Sequence, residues 1–396
     1  MKQKYELLAP AGDFPMLVAA VNAGADAIYF ALKRFGMRAN AKNFDIKDLP
    51  EMRKICNSSK IKVKMYLTLN TIVYDGEIKD LEQIIKSVKG KVDAVICWDP
   101  SIFTLCKKYK VPFFISTQAS IANKESAKFY KKLGAKRIIL ARELNLKQVK
   151  ELKGILPLEA FVHGAMCVAV SGRCFTSQFL FGRSANRGVC IHPCRRSYII
   201  KDKQEGYELE LDNDKVMSAK DLCMLPYVEE MKKAGIFSFK IEGRGRDPRY
   251  VDAVVREYRK ALDKRLTKAE VIEGMKELER VFNRKFSTGF YLGKPTPKDF
   301  SDIEHSAATE SKEYVGKIVH FYSNAKAGSI KIESNEIKVG DEICIIGNTT
   351  GIEKMKIESM QVNNLPVQVG KRGDEVAIKL PERVRKNDDV YVIIRK

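Results

Sequence analysis

The 396-residue sequence predicts an α/β protein: a (β/α)8 TIM-like barrel with a cysteine-rich insertion, followed by a small C-terminal all-β barrel. Three observations predict it. Eight short apolar or β-branched runs, most followed by a helical pattern, recur over roughly 260 residues, the rhythm of repeated βα units. No GxGxxG follows the first run, which counts against a doubly wound dinucleotide-binding sheet. Beyond residue 313 the pattern changes to short strands separated by Gly, Asn and Asp turns.

YELL (5–8) reads as the first strand, with Asp13 and Pro15 suited to the cap and first turn of the helix behind it. DAIYFAL (26–32) precedes a looped stretch and a helix at 47–57. IKVKMYLTLN (61–70) leads to a helix from Glu77 to Val88, DAVIC (93–97) to one beginning near Pro100, PFFIST (112–117) to one beginning near Asn123, and KRIILA (136–141) to one from Leu144 to Leu152. LEAFVHG (158–164) enters the insertion at 165–220. A helix from Asp221 to Ala234, the strand FSFKIEG (237–243) and a long helix from Pro248 complete a barrel domain over 1–265. A helical pattern and the Gly/Pro-rich STGFYLGKPTP make 266–312 a helical segment and linker. Six strands, VGKIVHF, SIKIES, DEICIIG, GIEKMKIESMQ, EVAIKL and DVYVIIR, fill the terminal unit at 313–396. Cys56, Cys97, Cys106 and Cys344 fall within helix or strand patterns and are expected in the core.

The formal net charge is +21, with 15 Lys+Arg against 13 Asp+Glu in residues 310–396 and 56 against 37 in residues 1–309. The barrel domain is the basic one. Such a balance favours a polyanionic partner, RNA being the natural candidate, and a lysine-rich proteome is the bland alternative. No segment approaches the ~18 apolar residues of a membrane span, and we expect a cytoplasmic protein without membrane contact.

The active site of such a barrel lies at the C-terminal ends of its strands. Those ends carry Asn70, Asp99, Gln118, Arg142, His163 and Cys167, and Glu242 with Arg244. The insertion adds Cys174, Cys190 and Cys194, and with Cys223 five of the nine cysteines fall in 57 positions. No Asp or Glu occurs between His163 and Ile200, while Arg173, Arg183, Arg187, Arg195 and Arg196 do. Clustered thiolates need a cation or an iron-sulfur core to absorb their charge. Paired CxxC spacings typical of structural zinc are absent, and the intervals of 7, 16 and 33 residues through Cys167, Cys174, Cys190 and Cys223 suit an iron-sulfur cluster better.

The blocks ELLAPAGDFPMLVAAVNAGADAIYF, FVHGAMCVAVSGRCFTSQFLFGRSANRGVCIHPCRRSY, SAKDLCMLPY and FSFKIEGRGRDPRYV resemble the U-thirty-two, collagenase-like peptidase family over almost the whole first 290 residues. The resemblance is to its tRNA 5-hydroxyuridine hydroxylation branch. It implies oxygen-independent hydroxylation of an RNA base, the wobble uridine of tRNA, with a [4Fe-4S] cluster, prephenate as oxygen donor and iron-sulfur assembly proteins as partners. Other branches imply hydroxylation of ribosomal RNA or of a quinone precursor. Cys167, Cys174, Cys190 and Cys223 match the ligand positions, with Cys194 as an alternative fourth ligand. The terminal unit, through KVGDEICIIGN, resembles the second-domain barrel of elongation factors.

Arg173, Arg183, Arg187 and Arg244 are candidate clamps for a dicarboxylate, since guanidinium binds carboxylate bidentately, or they contact phosphates. His163 and Glu242 are candidate catalytic groups; the alternatives are a hydrogen-bonded structural histidine and a plain salt bridge. Phe175, Phe179, Phe181 and Tyr198 either stack on splayed loop bases or form the insertion's core. The peptidase reading rests on Cys167 with His163, because the chain contains no HExxH and no GxSxG.

Overall fold

The computed structural model describes residues 5–396 apart from 40, 199, 202, 207, 210–216 and 304. Eight parallel strands pair in chain order: β1 (Glu6–Pro10), β2 (Ala27–Phe30), β3 (Lys64–Leu69), β4 (Ala94–Cys97), β5 (Phe113–Ile115), β6 (Arg137–Ile139), β7 (Leu158–Gly164) and β8 (Ile236–Ile241). The last strand pairs with both β7 and β1, so the sheet closes into a barrel. Helices cover its outside, and strands buried on both faces read as continuous apolar runs. Helix α1 (Phe14–Asn22) starts where predicted, with Asp13 accepting from the Met16 amide at 3.0 Å and Pro15 in the first turn.

The N-terminal half of the barrel interior holds a charge cluster that the apolar patterning does not announce. Arg137 contacts Glu6 at 2.5 Å and Glu159 at 2.9 Å, Lys240 reaches Glu159 at 2.8 Å, and Tyr66 and Ser238 donate to Glu6 at 2.8 and 3.0 Å. All six side chains are buried. Burial pushes the Glu6 carboxyl up, but Arg137, Tyr66 and Lys64 outweigh it and hold it below the ordinary value of 4.5.

The predicted helix from Asp221 is corrected. Asp221–Cys223 is a short strand running antiparallel to the end of β7, with Leu222 opposite Gly164 and Cys223 opposite His163. Strand β7 has seven residues against three in β6, so its end presents an open edge. A 3-10 turn at Leu225–Tyr227 follows, and the helix itself is Val228–Ala234. Part of the insertion lies outside the described residues.

The helices Pro248–Asp263 and Lys268–Arg280 precede the terminal unit, whose first strand begins at Glu310, within the stretch read as linker. The unit is an eight-stranded antiparallel sheet plus a two-stranded pair, Ile337–Lys338 with Val369–Gly370. GIEKMKIESMQ divides into two of its strands, Gly351–Lys356 and Met360–Val362. Cys344, Ile346 and Ile352 pack on Ala19 of α1, Lys354 pairs with Asp252 at 3.0 Å, and Arg249 pairs with Glu310 at 2.6 Å. Gly351, at φ +74°, approaches Val18 so closely that a Cβ there would lie 2.7 Å from its side chain.

Arg137→Met leaves two buried carboxylates without their main counter-charge. Urea titration at pH 7 is expected to show a loss of about 3–5 kcal/mol. Because the wild-type contribution of Glu6 exists above the ordinary value of 4.5 and is lost as pH falls through its lower folded value, the gap between variant and wild type narrows in acid.

Candidate active site

Two cavities meet at the C-terminal end of the barrel. The inner one, about 60 Å³, is lined by Arg38, Asn70, Gln118, Arg142, Glu242 and Arg244 among others. The outer one, about 600 Å³, is lined by Cys167, Cys174, Cys190 and Cys194, with Arg195, Arg196, Arg246, Arg284 and His192. Met37, Arg38, Gly172 and Glu242 line both and form their shared wall.

Glu242 follows β8 and accepts from Arg38 at 2.8 Å and from the Tyr29 hydroxyl at 3.3 Å. Burial raises its pKa, but Arg38, Arg244 and Arg142 together bring it below the ordinary carboxylate value. It is therefore an anion at neutral pH and anchors the wall. Arg244 is 3% exposed, donates to Thr68 Oγ1 at 2.8 Å, and leaves its Nε without a partner. Burial lowers its pKa to about 10. Arg142 donates to the Ala165 carbonyl at 3.0 Å and leaves Nη2 unpartnered. Among the described residues neither N–H group has an acceptor; such buried donors are costly, and these two belong to residues lining the inner cavity.

Tight turns hold the insertion over the mouth. Gly188, at φ +93°, lies against the Gly36 carbonyl, where a Cβ would come within 2.4 Å, and its own carbonyl accepts from the Ala39 amide at 3.1 Å. Asn186 accepts from the Cys174 amide at 2.7 Å. Ser177 lies 3.8 Å from the Cys190 sulfur, and Thr176 lies 3.2 Å from that of Cys174. Burial raises the Cys194 thiol; Arg195 opposes this, and the nearby Cys167, Cys190 and Cys174 add to it. Among the described residues no three His, Cys, Asp or Glu side chains converge closely enough for a single metal ion.

Cys223 does not line this cavity. It is buried 3.8 Å from the Tyr258 hydroxyl and 3.7 Å from the Met275 sulfur, and burial pushes its thiol up to about 11. His163 is also set apart, 1% exposed among Tyr250, Tyr258 and Phe286, with its Nδ1 3.5 Å from the Tyr258 hydroxyl. Burial drops its pKa to about 3, which makes it a neutral packing group.

Of the four expected clamps, only Arg244 sits in the inner cavity. Arg187 is engaged with Glu77 at 2.8 Å and with the Ile72 carbonyl, and so fastens the insertion to the barrel. Arg173 is exposed, over the Trp98 ring at 5.1 Å, and Arg183 is exposed. Arg38, in the loop after β2, was not among the sequence candidates. Its only signal was a cation in a βα loop, where barrel sites are built.

The model of peptidase family U32 matches residues 12–301. An uncharacterized protease of Methanocaldococcus jannaschii is 41% identical, covering 98% of each chain. A collagenase of Porphyromonas gingivalis is 37% identical over 98% of this chain and 97% of its own. The tRNA hydroxylation protein P1 of Bacillus subtilis is 34% identical over 87% and 84%. With a family match across the barrel, the insertion and the linker, and relatives aligned over nearly their full lengths, this chain belongs to peptidase family U32.

Proposed function

We propose that this protein is an enzyme that hydroxylates an RNA base without O2, its substrate being the wobble uridine of tRNA. One observation carries the reading: four thiols line an arginine-rich cavity that shares a wall with a small anion-seeking cavity in the barrel mouth. The relative named for tRNA hydroxylation and the basic barrel domain support RNA as the substrate.

The donor set fits a [4Fe-4S] cluster held by Cys167, Cys174, Cys190 and Cys194. Four thiols on one cavity wall, with arginines beside them to offset thiolate charge, are the kind of donor set such a cluster takes. Such a cluster supplies one-electron redox chemistry when bound. The protein's own residues do the rest. Arg142 and Arg244 offer unpartnered N–H groups to a carboxylate of the oxygen donor, a dicarboxylate such as prephenate. Glu242 holds Arg38 between donor and thiols. The uracil ring enters the outer cavity, and C–H is replaced by C–OH, an oxidation matched by reduction of the donor.

A peptidase reading has relatives named protease and collagenase on its side. Its Cys167–His163 pair is not formed, since His163 lines neither cavity. His192 does line the thiol cavity, but its charged neighbours are Arg38, Arg195, Arg246 and Arg284, which disfavour the imidazolium that a thiolate–imidazolium pair requires.

Anaerobically reconstituted protein is expected to hold about four irons and four sulfides per chain. Cys194→Ala is expected to lose iron and Cys223→Ala to keep it; the reverse pattern would move the fourth ligand to Cys223. In turnover assays on tRNA lacking the modification, with nucleosides read by mass spectrometry, Arg244→Met is expected to raise KM for the dicarboxylate by about tenfold or more. Unchanged tRNA hydroxylation after deletion of the gene would sink the proposal.

A further inference from the structure

Six large apolar side chains stand exposed within fourteen residues of the insertion: Val168 at 50%, Val170 at 36%, Phe175 at 63%, Phe179 at 85%, Leu180 at 54% and Phe181 at 40%. The three phenylalanines lie on or beside the helix Thr176–Phe181, whose first residue, with the preceding Cys174, lines the outer cavity. A contiguous apolar patch of this kind marks an interaction surface, because water-facing rings gain nothing for the fold.

The surroundings of the patch select its partner. Arg173, Arg183 and Arg196 are exposed beside it and pair with no carboxylate among the described residues. Arg196 lies over the Phe181 ring at 4.4 Å, and Phe175 and Phe179 have ring centroids 6.1 Å apart, tilted by 57°. Flat hydrophobic faces beside guanidinium groups that pair with no carboxylate among the described residues complement a polyanion that also has flat faces, which describes unpaired nucleobases on a phosphate chain. A duplex is a poor match, since its bases hide their faces in the stack. Val168, Val170 and Arg196 line the thiol cavity, so the rim and the cavity form one continuous surface.

We propose that this rim docks a single-stranded RNA segment, its bases stacked on Phe175, Phe179 and Phe181 and its phosphates on Arg183 and Arg196. The segment then delivers one splayed nucleotide into the thiol cavity. This rests on the RNA-hydroxylase reading and specifies how the substrate is gripped.

Fluorescence anisotropy with the full chain would compare an oligouridylate, a blunt RNA duplex of equal length and a tRNA. The oligouridylate and the tRNA are expected to bind more tightly than the duplex. Phe175→Ala/Phe179→Ala is expected to weaken oligouridylate binding by about tenfold or more, and Phe179→Trp to retain it. Both variants change exposed side chains, and unchanged thermal melting would confirm that they fold. Arg183→Ala is expected to flatten the salt dependence of binding by about one phosphate contact. Wild-type protein that binds no RNA would overturn the substrate reading itself. RNA binding that is indifferent to the double variant, or equal for duplex and single strand, would overturn the docking surface alone. Concentration-dependent dimerisation lost in the double variant, with RNA binding intact, would assign the rim to a second copy of the chain and also overturn the proposal.

Discussion

Buried positive charge governs the mouth of this barrel. Arg38, Arg142 and Arg244 crowd around Glu242 on the inner side, and Arg195, Arg246 and Arg284 stand on the outer side with Asp221. Two carboxylates do not balance that many cations. The excess holds the Glu242 carboxyl below its ordinary value against burial, adds to the burial that lowers the pKa of Arg244 and Arg284 to about 10, and accompanies guanidinium N–H groups that have no acceptor among the described residues. A molecule bringing negative charge into this mouth relieves an existing cost, whereas a neutral one does not.

The opposite end of the barrel treats charge differently. Arg137 and Lys240 are matched by Glu6 and Glu159 over short contacts, and the Arg137 guanidinium lies 4.3 Å above the Phe114 ring. Stability is concentrated where the strands begin and unsatisfied chemistry where they end, the usual division of labour in this architecture. Lys240 joins the two regions, since it pairs with Glu159 and also lines the inner cavity.

Much of this was legible in the sequence because its causes are local. Strand burial writes apolar runs, Asp13 and Pro15 write a helix start, and the acid-free arginine and cysteine stretch writes the character of the outer cavity. What was not legible depends on distant pairing. Cys194 rather than Cys223 completes the thiol wall because Asp221–Cys223 is drawn onto the open edge of β7 and buried beside Tyr258. Nothing local marks those three residues as a strand. Arg38 joins the site only through its contact with Glu242, 204 residues away in sequence. Arg187 is removed from the clamp by Glu77, 110 residues away.

Closure of the barrel sets an order on how the molecule comes into being. Strand β8 must find β1, more than two hundred residues behind it, as well as β7, and Glu242 and Arg244 follow directly from its end. Cys167, Cys174, Cys190 and Cys194 all precede β8, so a growing chain has made every thiol before the wall that encloses them exists. The part of the thiol-cavity wall that Glu242 and Gly243 supply is therefore the last that the barrel makes, and it exists only once β8 has closed the sheet against β1 and β7.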